Sequence, residues 1–266
     1  MGYRNPYRIN SATVPRRLTF ARGFTLTEMA VVLVIVGLLI AGMVIPFSVQ
    51  QDIRARQETE KRLADIREAL LGFASANGRL PCPAIAVSNG LENPIGGGVC
   101  TSAHGGFLPA GTLGVAPVNN DGFAVDAWNQ PIRYAVTSAN ASAFTTANGM
   151  RATTLTVLAP DLQVCPGLVA NAVTNAGAAN ATCAGNALST SAVAVVYSLG
   201  RNGGTGGAGA DESHNPNPNA GIAADRAFIS HLETPSSAPQ GEFDDVVIWL
   251  SPNILYNRLI ATGQLP

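Results

Sequence analysis

Four cysteines, three histidines, a glycine-rich loop ending in two acids, and one carboxylate at the edge of an apolar run are the side chains here with chemistry to offer. The interval from Cys82 to Cys100 equals that from Cys165 to Cys183. No Cys-x-x-Cys is present, so disulfides are favoured over a zinc site. Four cysteines allow three connectivities, of which pairing within each couple is the simplest; each loop so closed should stabilise the fold by about 3 kcal/mol. His104, His214 and His231 read as residues of polar loops with no ligand spacing and no nucleophile beside them, which argues against a catalytic metal and a membrane-tethered enzyme. Gly203 to Gly209 reads GGTGGAG and is followed by Asp211 and Glu212. It lacks the Lys-Ser/Thr of a phosphate loop and is no nucleotide site. Glu28 stands directly before the apolar run, where drawing an ionised carboxylate to mid-bilayer depth costs roughly 2.5 to 3.5 kcal/mol.

The elements that must position these residues follow from charge and hydropathy. Arg4, Arg8, Arg16, Arg17 and Arg22 precede Gly23 with no acid among them, leaving 11 bases against 17 acids in the rest of the chain. Met29 to Phe47 reads MAVVLVIVGLLIAGMVIPF, without a single charge. At about 1.5 Å per residue, that length matches the bilayer hydrocarbon. A secretory signal has a shorter apolar core followed by a small-x-small cut. The run therefore reads as a permanent transmembrane helix with its arginine-rich end cytoplasmic. Gly37, Gly42 and Pro46 weaken it locally, so it can kink or melt. From Gln50 to Ala76 five acids stand against five bases, and Leu63, Ile66, Leu70 and Phe73 share one helical face. Asn77-Gly78 supplies a left-handed stop, and Pro81 and Pro83 forbid resumption.

Beyond Gly78 short β-rich runs alternate with Gly, Pro and Asn, and candidate strands are Ile132 to Thr137, Thr153 to Leu158, Val193 to Ser198 and Val246 to Leu250. One antiparallel sheet packed on the Leu63/Ile66/Leu70/Phe73 stripe gives an α+β fold, completed by a short helix that starts at Ser251-Pro252. The expected division is 1–23 leader, 24–49 membrane helix, 50–77 amphipathic extension and 78–266 β-rich head. A chain of 47% hydrophobic residues buries a core, while only 12% charge suits a secreted or envelope protein. A net charge of -1 leaves no basic field for nucleic acid.

Arg22-Gly23-Phe24-Thr25-Leu26-Thr27-Glu28 resembles the processing site of type IV pilins and pseudopilins: basic leader, Gly, Phe, and Glu as the fifth residue after the cut. Thr27 departs mildly from the aliphatic residue usual there. The resemblance implies a pilin-like fold, a long helix packed on an antiparallel β-sheet head. It also implies cleavage between Gly23 and Phe24 by a prepilin peptidase, methylation of the new amine, and retention of the apolar run in the inner membrane with the head in the periplasm. Removing 23 of the 266 residues leaves 243. In a filament core, Glu28 of one subunit would pair with the amine of Phe24 on a neighbour. Asp126-Ala127-Trp128-Asn129-Gln130-Pro131-Ile132-Arg133-Tyr134 is similar to a loop-to-strand element of major pseudopilins of type II secretion, and Tyr197-Ser198-Leu199-Gly200 resembles the strand closing their sheet. Gly78 to Pro83 and Phe243 to Trp249 look like elements of other prepilin-type proteins.

In major pseudopilins the glycine-rich loop after that strand holds calcium, and hard cations take oxygen ligands. The resemblance therefore offers Asp211 and Glu212 as calcium ligands, against a plain flexible loop; Arg201 and Asn202 stand where an acid would help. The function implied is a structural subunit of a pseudopilus or type IV pilus, its length favouring a minor component or a divergent lineage. The other reading is a filament-displayed adhesin or DNA-uptake binder, for which exposed aromatic residues interleaved with bases would speak; no such cluster is seen.

Overall fold

The computed structural model describes residue 2 and residues 23–167, 173–174, 182–183, 186–205, 209–215 and 226–265. The side chains of 41–49 and the leader arginines lie outside the described residues. The chain forms two compact units, Met1–Gln50 and Gln51–Pro266.

Helix α1 runs over Leu26–Asn77. Thr25 and Glu28 open it with a reciprocal cap: the Thr25 amide and hydroxyl donate to Glu28 Oε2 at 2.8 and 2.9 Å, and the Glu28 amide donates to Thr25 Oγ1 at 3.2 Å. This is the Ser/Thr-x-x-Glu capping box, which satisfies amides that the first turn leaves orphaned. The expected stop is present too, with Gly78 at φ +65 and its amide bonded to Ala74 O at 2.8 Å.

In the second unit β1 (Gly106–Phe107), the short helix α2 (Ala110–Leu113) and β2 (Arg133–Val136) come first, followed by the single turns α3 (Ala139–Ser142) and α4 (Gly149–Ala152). Next are β3 (Leu162–Cys165), the ribbon of β4 (Val173–Thr174) and β5 (Thr182–Cys183), β6 (Ser189–Ala192) and β7 (Ala194–Ser198). The chain ends with α5 (Ala210–His214), β8 (Ala227–Ile229), β9 (Val246–Leu250) and α6 (Pro252–Ala261). Strands β1-β2-β7-β9 form one antiparallel sheet, and β6-β3-β8 form a second in which β3 and β8 run parallel.

The side-chain period of two sorts the central strands. Tyr134, Val136, Ala194 and Val196 join Leu63, Ile66, Leu70, Leu71 and Ala74 of α1 and Leu255 and Leu259 of α6 in one core. Ala135, Val195 and Tyr197 point the other way and meet Leu162, Val164 and Phe228 of the second sheet. Sheet one is thus covered on both faces, and the α+β arrangement of a long helix against antiparallel strands is the observed fold.

Three expectations change. Thr153 to Leu158 is a turn, since Thr154 O accepts the amides of both Val157 and Leu158. Phe73 is only half-buried, its ring under the Arg79 guanidinium at 5.1 Å, and Leu71 and Ala74 complete the seam in its place. The second sheet was not expected at all.

The charges of α1 also reach the head. Arg62 donates to the carbonyls of Val125 and Asp126 at 2.9 and 2.8 Å, Asp52 accepts from Arg201 at 2.9 Å, and Arg56 meets Glu233 at 3.4 Å. In the Asp126 to Tyr134 loop, Asp126 Oδ1 accepts the amides of Trp128 and Gln130, while Oδ2 accepts Ser198 Oγ. Its role is to shape that turn.

Candidate functional site

Two groups of residues carry chemistry, one in each unit. In the first, Phe24 and the apolar side chains at the start of α1 are bare: Phe24 is 81% exposed, Leu26 88% and Leu38 70%, and Met29 to Ile40 have no core around them. A surface of this kind requires lipid or other helices to cover it. The described side chains of the apolar run stop at Ile40, and among the described residues no helix is long and apolar enough to cross a membrane. Gly23 and Phe24 precede the first turn and are exposed. Glu28 is engaged with Thr25 in its own chain; the signal for that cap is the Thr25-x-x-Glu28 spacing, which hydropathy alone does not reveal.

The second group sits where β7, α5 and β9 converge. Asp211 and Glu212 are neighbours on α5, so their side chains diverge by about 100°. Asp211 turns to His231 Nε2 at 3.1 Å. Glu212 turns to the start of β9, where it forms a buried cluster with Asp244 and Asp245 whose carboxylate oxygens lie within 4.8 Å of one another. The expected Asp211/Glu212 pair is therefore split, and the partners that Glu212 takes instead come from beyond β8 in the chain.

The cluster is densely wired. Glu212 accepts from the Asp244 amide at 2.8 Å and from Asn202 Nδ2 at 3.1 Å. Asp245 accepts from Asn215 Nδ2 at 2.6 Å, and Asp244 Oδ2 from the Arg201 amide at 3.0 Å. The Arg201 side chain points away, to Asp52 and to Glu242, each at 2.9 Å. Asp244 Oδ1 is buried with no hydrogen-bond partner, in a space that exists because residue 200 is glycine: a Cβ there would fall 2.0 Å from it. Burial first, then the charge of Glu212, pushes the Asp244 carboxyl up to about 7. Burial likewise holds Asp245 well above the usual carboxylate range. Three carboxylates packed this closely out of water need protons or a cation. An all-oxygen donor set with an orphaned buried oxygen fits a hard cation such as calcium.

His104 and His231 lie in loops as expected, whereas His214 lies in a helix. His104 is buried, its imidazole pushed down to about 4 mainly by that burial. His214 is buried in α5. His231 stacks on Phe243 at 3.8 Å, and its Nδ1, facing Leu232 O at 2.7 Å, and Nε2, facing Asp211, are both engaged.

The cysteines close two local loops, Cys82–Cys100 and Cys165–Cys183. The first is held from inside by a buried pair in which Arg79 grips Glu92 at 2.8 and 2.7 Å, while Glu92 accepts the amides of Cys82 and Gly96, each at 3.1 Å. Burial opposes the Glu92 charge, but Arg79 and those amides outweigh it and keep the carboxyl below its ordinary range.

Residues 19–44 match the family model described as the prokaryotic N-terminal methylation motif. No curated protein and no solved structure matches the chain.

Proposed function

We propose that the chain, which carries the prokaryotic N-terminal methylation motif, is a type IV pilin-like structural subunit of an envelope filament, a pseudopilus or a type IV pilus, working by insertion, cleavage and stacking. The observation that carries this reading is the bare apolar helix behind a methylation motif, a surface that only lipid or like helices can cover. In it, prepilin peptidase cuts between Gly23 and Phe24, the helix stays in the inner membrane with the head periplasmic, and the extracted helices pack together. Glu28 then serves the Phe24 amine of a neighbour, so that neither charge is stranded in low dielectric. Calcium, in this reading, is held by Glu212, Asp244 and Asp245 and acts as a staple of the head.

Gly23→Ala should leave a slower-migrating precursor in a cell with its prepilin peptidase. Unchanged processing there would remove the proposed cleavage.

The Glu28 test must separate charge from capping. Glu28→Gln keeps a side chain able to close the capping box but carries no charge. Both Glu28→Gln and Glu28→Ala should be cleaved and inserted yet fail to enter sheared filaments. Normal incorporation of the Gln variant would reduce Glu28 to a helix cap.

A further inference from the structure

The head carries two apolar features at opposite ends of the Gln51–Asn77 part of α1. One is the loop closed by Cys82–Cys100. Between Leu80 and Asn120 the one Asp, Glu, Lys or Arg is Glu92, and it is buried against Arg79. Val87, Ile95 and Val99 of this loop are 83%, 79% and 76% exposed. Ile95 to Val99 lies beside Arg79, just past the end of α1: the Gly98 amide bonds Thr145 O, and a Cβ on Gly97 would meet Arg79 Nη1 at 2.7 Å. Disulfide and buried ion pair together hold these side chains out on a stiff mount.

The other feature is an open recess of about 410 Å³ lined by Pro166, Thr234, Ala238 and Pro239, with the His231–Asp211 pair in its wall. Leu232 stands next to it, 85% exposed. Between Ala227 and Gln240 the one Asp, Glu, Lys or Arg is Glu233, which is turned to Arg56. Arg56 lies some six turns before Asn77, so recess and loop are separated by about 30 Å along the helix.

A protruding apolar knob and a recess elsewhere on the same molecule make a heterologous contact, which does not close and so propagates. Apart from the buried Asp211, which is paired with His231 in the recess wall, both features are depleted of charge, as the core of an interface requires. We propose that the Ile95–Val99 loop of one copy docks into the recess beside Leu232 of the next, so that heads stack end to end. A few side chains fall well short of the roughly 800 Å² per partner of a free-standing interface. The contact therefore forms where helix packing has already brought copies together and raised their effective concentration. This inference rests on the filament reading above.

The test uses the full chain, processed in its membrane, with Ile95→Cys and Leu232→Cys; both positions are exposed, and the native cysteines are consumed in disulfides. Sheared filaments are sedimented and treated with a short bis-maleimide. The double variant should give a ladder extending beyond dimer, each single variant alone should stay monomeric, and the two singles expressed together should stop at dimer. Dimers from Ile95→Cys alone would mean a two-fold contact and overturn the proposal, as would sedimented filaments without any adduct. A chain that never sediments would defeat the filament reading itself, and the docking with it.

Discussion

Leu70→Ala in the unit Gln51–Pro266, expressed by itself with its cysteines oxidised, should lose about 3 to 5 kcal/mol and melt about 10 °C or more below the parent. Leu70 is fully buried between α1 and the first sheet, among Leu63, Ile66, Tyr134 and Val196, so truncation leaves a cavity in a seam built from three elements. Phe73→Ala should cost less, because that ring is half-exposed and its neighbour is a guanidinium. Arg56→Ala removes only partly solvated ion pairs with Glu60 and Glu233 and should change stability by less than about 1 kcal/mol. The ordering is the test. A helix that only tethers an independent head would tolerate all three changes alike, and equal melting temperatures for Leu70→Ala, Arg56→Ala and the parent would show that the sheet builds its core without α1.

The parts of this fold legible in the sequence are those whose signal is local. β2, β7 and β9 are apolar runs bounded by Pro, Gly or Asp, and α6 begins at Ser251-Pro252, where the proline needs no amide partner. The second sheet was hidden because its strands are very short and two of them, Leu162–Cys165 and Ala227–Ile229, pair in parallel although β4, β5, β6, β7 and α5 all lie between them in the chain. No short-range pattern announces such a pairing. Thr153 to Leu158 failed for the opposite reason: its β-branched composition suits a strand, but it has no edge to join, and the backbone closes on Thr154. Asp211 and Glu212 adjoin in sequence and so read as a pair, yet adjacency on a helix turns side chains apart. What gathers the acids is the tertiary meeting of α5 with the start of β9.

That meeting gives the head an unusual pH response. Asp244 titrates near 3.8 in the unfolded chain and at about 7 in the folded one, so the folded state binds the extra proton. The stability this contributes is fully present below 3.8 and is lost as pH rises through about 7, the reverse of the salt-bridged acids that make proteins fail at low pH. Asp245, held high by the same burial, extends the loss to higher pH. Asp126, raised mainly by its burial, pulls in the same direction, while Glu92, held low, and His104, pushed down to about 4 by burial, pull against them, so the cluster's part is isolated by the variant Asp244→Asn. In metal-free buffer the parent unit Gln51–Pro266 should melt lower at pH 8 than at pH 5, and Asp244→Asn should flatten much of that slope. Millimolar calcium should then restore stability at pH 8 and do little at pH 5, where protons already occupy the oxygens a cation would use. A parent melting temperature at pH 8 that is the same in chelator and in calcium would leave the cluster as a proton store alone. A flat profile in both would mean that Glu212, Asp244 and Asp245 are not held together as the structure has them.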